Sequence, residues 1–282
     1  MAGAATFALN AILTIPSFLF DTLRLYLLIL PGTCIKEPEY RLNNNTERNP
    51  MTQLAKRLER LFLKLDHTAL LVEQMLADAL FTLESNKDED VENLIQSDVV
   101  IDSREVETER ECIRLLALYQ PAAIDLRRIS FVVKANSDLE RIADYCVKMA
   151  KRGRKMRNEG ISMKSFPAFY KLAEQVSATY RQTMRLFTLH SDSESADTSE
   201  TSMETAKHIT AADGETDILF REFVELTLSI EETFHGRLKV WYDLTALGRS
   251  LERIGDLCTN IAEDAIFMFT GEIVRHSEMT TQ

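Results

Sequence analysis

The chain has 282 residues, 45% of them apolar, so it can bury a sizeable core as one or two domains. Nine Gly and six Pro are few for the tight turns of a sheet protein, while Leu, Ala, Glu, Lys and Arg are abundant. An all-α fold with almost no strand is expected. A net charge of −11 repels phosphate backbones, which argues against a non-specific nucleic-acid binder and suits cations or basic partner surfaces.

Residues 1–50 differ from the rest. Residues 1–20 carry no charge, but Asn10, Pro16 and Ser17 interrupt the run and no basic residue precedes it, so it makes a poor membrane span and a poor secretory signal. With Pro38, Asn43, Asn44, Asn45 and Pro50 following, this N-terminal extension is expected to be disordered, or spurious with translation opening at Met51. It holds four acids and four bases, so the negative excess lies beyond it. A cytoplasmic protein is expected, with a peripheral place at the inner face of the membrane left open.

From Leu54 the apolar residues Leu54, Leu58, Leu61, Phe62, Leu65, Ala69, Val72, Leu76, Ala79, Leu80 and Leu83 recur at three- and four-residue steps, the period of a helix with one buried face. A second helix carries Val91, Leu94, Ile95 and Val99 and runs to about Leu118. Pro121 suits the first turn of a third helix, which carries Leu126, Ile129, Val132, Val133, Leu139, Ile142 and Val147 to about Met156. Arg157–Ser165, with Gly160, reads as a joint. A fourth helix is expected over Phe166–Leu189, and Ser191–Ser202, built only of Ser, Thr, Ala, Asp and Glu, as a mobile loop. Helices five (about 204–233) and six (about 237–270) complete the chain.

Leu139-Glu140-Arg141-Ile142-Ala143-Asp144 returns 112 residues later as Leu251-Glu252-Arg253-Ile254-Gly255-Asp256, and seven of twelve positions match when both are extended to Ala150 and Ala262. Leu80-Phe81-Thr82-Leu83 likewise returns as Leu186-Phe187-Thr188-Leu189. The chain therefore reads as two tandem three-helix bundles, about 51–157 and 164–275.

Glu140 and Asp144 stand four apart and stack on one helix face, as do Glu252 and Asp256. The preceding helix of each repeat offers Asp98 with Asp102 and Asp213 with Asp217, and in the first repeat Glu105 and Glu109 continue the row. Like charges at this spacing cost a helix about 0.2–0.5 kcal/mol, so stability gives no reason to place them twice. If neighbouring helices bring the pairs together, each repeat gains an all-oxygen site for a hard cation: Mn, Mg, Ca or ferric iron, with zinc possible. The competing reading is a solvated face with Arg141 and Arg253 as ion-pair partners.

Other chemistry is weakly supported. Glu232-Thr233-Phe234-His235 has ExxH spacing, but a carboxylate-bridged di-iron bundle needs two copies. Cys34, Cys112, Cys146 and Cys258 form no CxxC; Cys146 and Cys258 hold equivalent apolar positions and read as core residues in a reducing compartment. Trp241 and Tyr242 read as packing or interface aromatics. No Gly-rich phosphate loop or nucleophile elbow occurs, so no catalytic residues are assigned.

The segments 116–127 (Leu-Ala-Leu-Tyr-Gln-Pro-Ala-Ala-Ile-Asp-Leu-Arg), 134–144 and 251–267, with the closing 270–276, resemble the PhoU family over about residues 51–275. The resemblance implies a cytoplasmic, often dimeric, non-enzymatic regulator. Such a protein couples the phosphate ABC transporter to the sensor kinase PhoR and represses the phosphate-starvation response. It also implies that the (E/D)xxxD motifs bind iron or zinc clusters, here through Asp98, Asp102, Glu140, Asp144, Asp213, Asp217, Glu252 and Asp256. The leader and the acidic stretch 191–202 depart from the family pattern. The alternatives are a carboxylate-ligated metalloenzyme on a helical bundle and a structural helical adaptor without metal.

Overall fold

Apolar side chains at helical spacing must be covered, and here six long helices cover one another. The computed structural model describes residues 50–85, 87–188, 196–231 and 238–274. Its helices are α1 (Pro50–Thr82), α2 (Asp88–Tyr119), α3 (Ala123–Asn158), α4 (Pro167–Thr188), α5 (Ala196–Glu231) and α6 (Leu238–Thr270), with a 3-10 turn at Met163–Ser165 before α4. No strand occurs among the described residues. Nor is any helix among them long and apolar enough to cross a membrane. The N-terminal extension up to residue 49, Cys34, and the ExxH residues Glu232 and His235 lie outside the described residues.

The helices pack as two trios, α1–α2–α3 and α4–α5–α6, each helix touching the other two of its trio. The trios meet along α3–α6, the most extensive helix contact, and along α1–α4. The buried side chains of both form one continuous core. Every apolar position expected to line α1 is buried except Leu80, which is partly covered.

Four local expectations are corrected. Val99 is exposed, because the buried row of α2 runs Val91, Leu94, Ile101, Thr108, Cys112 and Leu115, and Val99 lies on the opposite side. Leu126, one turn into α3, is exposed as well. Pro121 precedes α3 instead of opening it. The backbone N–H of Gln120, at φ 44°, closes α2 by donating to the Leu116 carbonyl, and Ala122 is the residue that caps α3. Residues 196–202 are the first turns of α5, and only 191–195 of the expected loop lies outside the described residues. Tertiary contact overrides composition there: Ser202, Ala206 and Ile209 are buried at helical spacing. At the joint, Gly160 (φ 78°) gives the left-handed residue that stops α3, and the Ile161 N–H returns to the Met156 carbonyl.

Buried carboxylates fix the α3–α6 seam. Asp264, near the end of α6, accepts from Lys134 near the start of α3 at 2.7 Å. Asp243, near the start of α6, is held by Arg152 at 3.0 Å and Lys155 at 2.6 Å near the end of α3. The helices therefore run antiparallel with an ion-pair clamp at each end. Between the clamps lie Ala135, Leu139, Ile142, Cys146 and Met149 of α3 and Leu247, Leu251, Ile254, Cys258 and Ile261 of α6, all buried. Where α6 meets α5, Gly248 leaves room for the Phe223 ring, which a Cβ would meet at 2.6 Å. The buried Tyr180 hydroxyl donates to the Ala69 carbonyl at 2.8 Å and ties α4 to α1. Cys146 and Cys258 are buried as expected, Cys112 is buried as well, and burial pushes the Cys112 and Cys258 thiols up to about 12.

Two outcomes follow for the seam. Removing both bases with Arg152→Ala and Lys155→Ala leaves Asp243 buried without a partner and should cost about 3–5 kcal/mol in urea unfolding. Asp243→Asn should cost less, because the bases it releases reach solvent. Asp138, buried on α3 beside Arg141, has its carboxyl raised to about 6, chiefly by burial and, among the surrounding charges, by Asp264 against Arg141. An acid raised in the folded state protonates there first. Its contribution therefore grows as pH falls from about 7 to about 4, by on the order of 2 kcal/mol. Asp138→Asn should flatten that part of the stability–pH curve measured by thermal melts.

Candidate metal centre

The eight acids of the two repeats take matching places. Asp98 and Asp213 are half-buried on α2 and α5, and Asp102 and Asp217, one turn on, are exposed. Glu140 and Asp144 on α3, and Glu252 and Asp256 on α6, border the buried rows Leu139–Ala143–Cys146 and Leu251–Gly255–Cys258. Gly255 stands where the first motif has Ala143, because α6 lies against Thr216 of α5 and a Cβ there would meet the Thr216 methyl at 3.1 Å.

α2 packs on α3 and α5 on α6, which sets the paired acids of each trio against each other. The Glu140 carboxyl is raised first by burial and then by Asp144, Asp102, Glu105 and Asp98. Asp98 is raised by burial, Asp102 and Asp144, with Lys151 and Lys148 opposing. In the second trio Asp213 is raised by burial, Asp256 and Asp217, while a hydrogen bond from the Thr259 hydroxyl at 3.3 Å opposes. Glu252 is raised by burial and Asp256, against Arg253 and Arg249, with Asp217 adding to the rise. In both trios, then, a half-buried acid from each helix feels the acids of the other helix.

The counter-ions differ. Lys148 pairs with Asp144 at 2.8 Å. Arg253 reaches Asp256 at 2.8 Å and Glu252 at 3.6 Å, and Arg249 lies 3.9 Å from Glu252. Arg141 turns away from the acids of its own motif and pairs with Asp138 at 3.2 Å. A cleft of about 320 Å³ beside the second set is lined by Asp213 and Asp256 and by both motif arginines.

Among the described residues, no three His, Cys, Asp or Glu side chains stand together as a set that could hold one ion. The donors are carboxylate oxygens without a histidine, a chemistry that suits a hard cation. Glu252 Oε2 is buried without a hydrogen-bond partner, and its nearest cationic group is Arg253 Nε.

Sequence reasoning passed over Thr259 and the seam carboxylates Asp138, Asp243 and Asp264. The seam acids carried a readable signal: each sits at helical spacing within an apolar row, as in Val240–Asp243–Leu244–Leu247. Thr259 gave none, since a lone hydroxyl on a helix is common.

Comparison with known proteins agrees with the duplicated helical architecture. The PhoU domain family model matches twice, at residues 65–153 and 170–265. A phosphate-specific transport system accessory protein PhoU homolog of Zymomonas mobilis is 32% identical, covering 72% of this chain and 80% of the relative. One of Pseudomonas aeruginosa is 30% identical over 74% of this chain and 82% of the relative. The crystal structure of PhoU from Pseudomonas aeruginosa superposes with a TM-score of 0.70 at 27% identity, covering 78% of this chain and 100% of that one. The PhoU structure from Streptococcus pneumoniae, at 23% identity and a TM-score of 0.68, shares the fold. With both halves matched and relatives similar over most of their length, the chain belongs to the PhoU family.

Proposed function

We propose that this chain is a metal-binding, non-enzymatic regulator of phosphate uptake, an accessory to the phosphate ABC transporter that links it to the sensor kinase PhoR and represses the phosphate-starvation response. The relatives' description as accessory proteins of the phosphate-specific transport system supports the transporter link. The observation that carries the metal reading is the repetition, in both trios, of half-buried acids raised by burial and by one another. On this reading a cation would draw Asp98, Asp102, Glu140 and Asp144 together as one ligand set and Asp213, Asp217, Glu252 and Asp256 as the other. Iron or zinc is the expected occupant, with Mn or Mg as all-oxygen substitutes. A bound cation supplies positive charge where adjoining helices otherwise present like charges. The chain's own part is to hold those acids on long helices around a shared core, so that their neutralisation tightens α2 on α3 and α5 on α6. The protein works in the cytoplasm as a homodimer against the inner face of the membrane.

Pull-down of the full chain from cells grown with and without phosphate tests the regulatory reading. The transporter ATPase or PhoR should be recovered, with a yield that follows phosphate; failure to recover either contradicts it. Elemental analysis of purified protein tests the ligands: Glu140→Ala with Asp144→Ala should lower bound metal to that of the second set alone. Without metal, the raised acids Asp98, Glu140, Asp213 and Glu252 oppose folding when ionised. Their contribution to stability should therefore rise as pH is lowered through their folded titration, which burial and mutual repulsion move upward. Saturating metal should reverse that trend, adding about 2.7 kcal/mol at a hundredfold excess over Kd.

A further inference from the structure

Helix α2 packs on α1 and α3 through one side, whose buried row in mid-helix is Ile101, Thr108 and Cys112. On the side facing away stand Val99, Val106 and Ile113, with 54%, 40% and 58% of their surface exposed. They are spaced by seven residues, close to two helical turns, and so form one apolar row about 21 Å long. Stability gives no reason for it: a β-branched residue loses side-chain freedom in a helix, and an exposed one recovers little by packing.

The second repeat shows that the bundle does not need this row. Counting from Asp98 and Asp213, the buried Ile101, Thr108 and Cys112 of α2 match Thr216, Phe223 and Thr227 of α5, which are buried too. In the same register Val99, Val106 and Ile113 become Gly214, Arg221 and Leu228. The inward face is kept in both repeats, and the outward row belongs to the first alone.

The charge beside the row narrows what can cover it. Asp98, Asp102, Glu105 and Glu109 run at three- and four-residue steps along the edge nearer α3. The other edge is mixed, with Ser103, Arg110 and Arg114, the last 3.9 Å from Glu111. A second copy brings the same acids and the same net charge of −11, and an anionic lipid surface is negative throughout, so this face meets like charge in both.

We propose that the outward face of α2 is a docking site for a basic amphipathic helix of a partner protein, whose apolar side chains cover Val99, Val106 and Ile113 while its Lys or Arg residues lie against Asp102 and Glu109. Such a helix presents apolar residues at alternating three- and four-residue steps over about four turns, as one strand of a coiled coil does. The proposal goes beyond the regulatory reading above and needs no bound metal.

The test uses full-length protein in EDTA, which keeps cation binding out of the readout, and two fluorescent helical peptides of about six turns with the same Leu and Ile seam. One carries Lys along a single edge of the seam and the other carries Glu; binding is read by fluorescence anisotropy. The Lys peptide should bind, and the Glu peptide about tenfold or more weakly. Val106→Glu with Ile113→Glu should weaken the Lys peptide by about tenfold or more at an unchanged far-UV circular dichroism spectrum, because both positions face solvent in the free protein. Glu109→Lys should weaken the Lys peptide and strengthen the Glu peptide, each by about two- to fivefold. Equal affinity for the two peptides, no binding of either, or an affinity that ignores Val106→Glu with Ile113→Glu overturns the docking site. So does sedimentation in which wild type is a dimer and that double variant a monomer, since a second copy then covers the row. None of these outcomes bears on the metal reading.

Discussion

The antiparallel contact of α3 with α6 is the constraint on which the rest depends. Both copies of the Leu-Glu-Arg-Ile-x-Asp motif lie on these two helices, between the clamp at Asp264 and the clamp at Asp243. Because the apolar rows of α3 and α6 face the shared core, the acids at Glu140, Asp144, Glu252 and Asp256 are left on the borders of those rows. There α2 and α5 close over them with acids of their own. The seam thus fixes where negative charge accumulates, and it does so with ion pairs whose carboxylates are buried while their basic partners reach solvent. A buried ion pair adds little net stability compared with apolar packing, but it penalises any other register of the two helices.

The acidic borders work against the fold that carries them. Burial and mutual repulsion raise Asp98, Glu140, Asp213 and Glu252, and basic side chains only partly offset the charge. Such partly offset charge, repeated at equivalent points in two bundles, is the feature on which the proposed cation binding rests. The two bundles solve the ion-free problem differently, with lysines in one and an arginine in the other.

Much of this was legible in the sequence, for identifiable reasons. Periodicity placed the buried face of α1 residue by residue, since a long amphipathic helix in a bundle has one way to cover itself. The duplicated motif located the acids because repetition at a fixed spacing is independent of packing detail. It failed at α2, where Val99 follows the apolar pattern but faces away from the core, and at residues 196–202, where a polar composition folds because neighbouring helices bury Ser202. The roles of Arg141 and Arg253 were not legible either. Identical residues in identical motifs part company through a neighbour three positions earlier, an effect visible only once side-chain partners are known.

The most direct measurement of the central claim is anomalous diffraction from crystals of the full chain grown with Mn²⁺. The account predicts a peak in each bundle within about 2.0–2.6 Å of carboxylate oxygens, one between α2 and α3 at Glu140 and Asp144, the other between α5 and α6 at Glu252 and Asp256. Well-ordered carboxylates with no anomalous density beside them, in crystals where Mn²⁺ is in large excess, would contradict it.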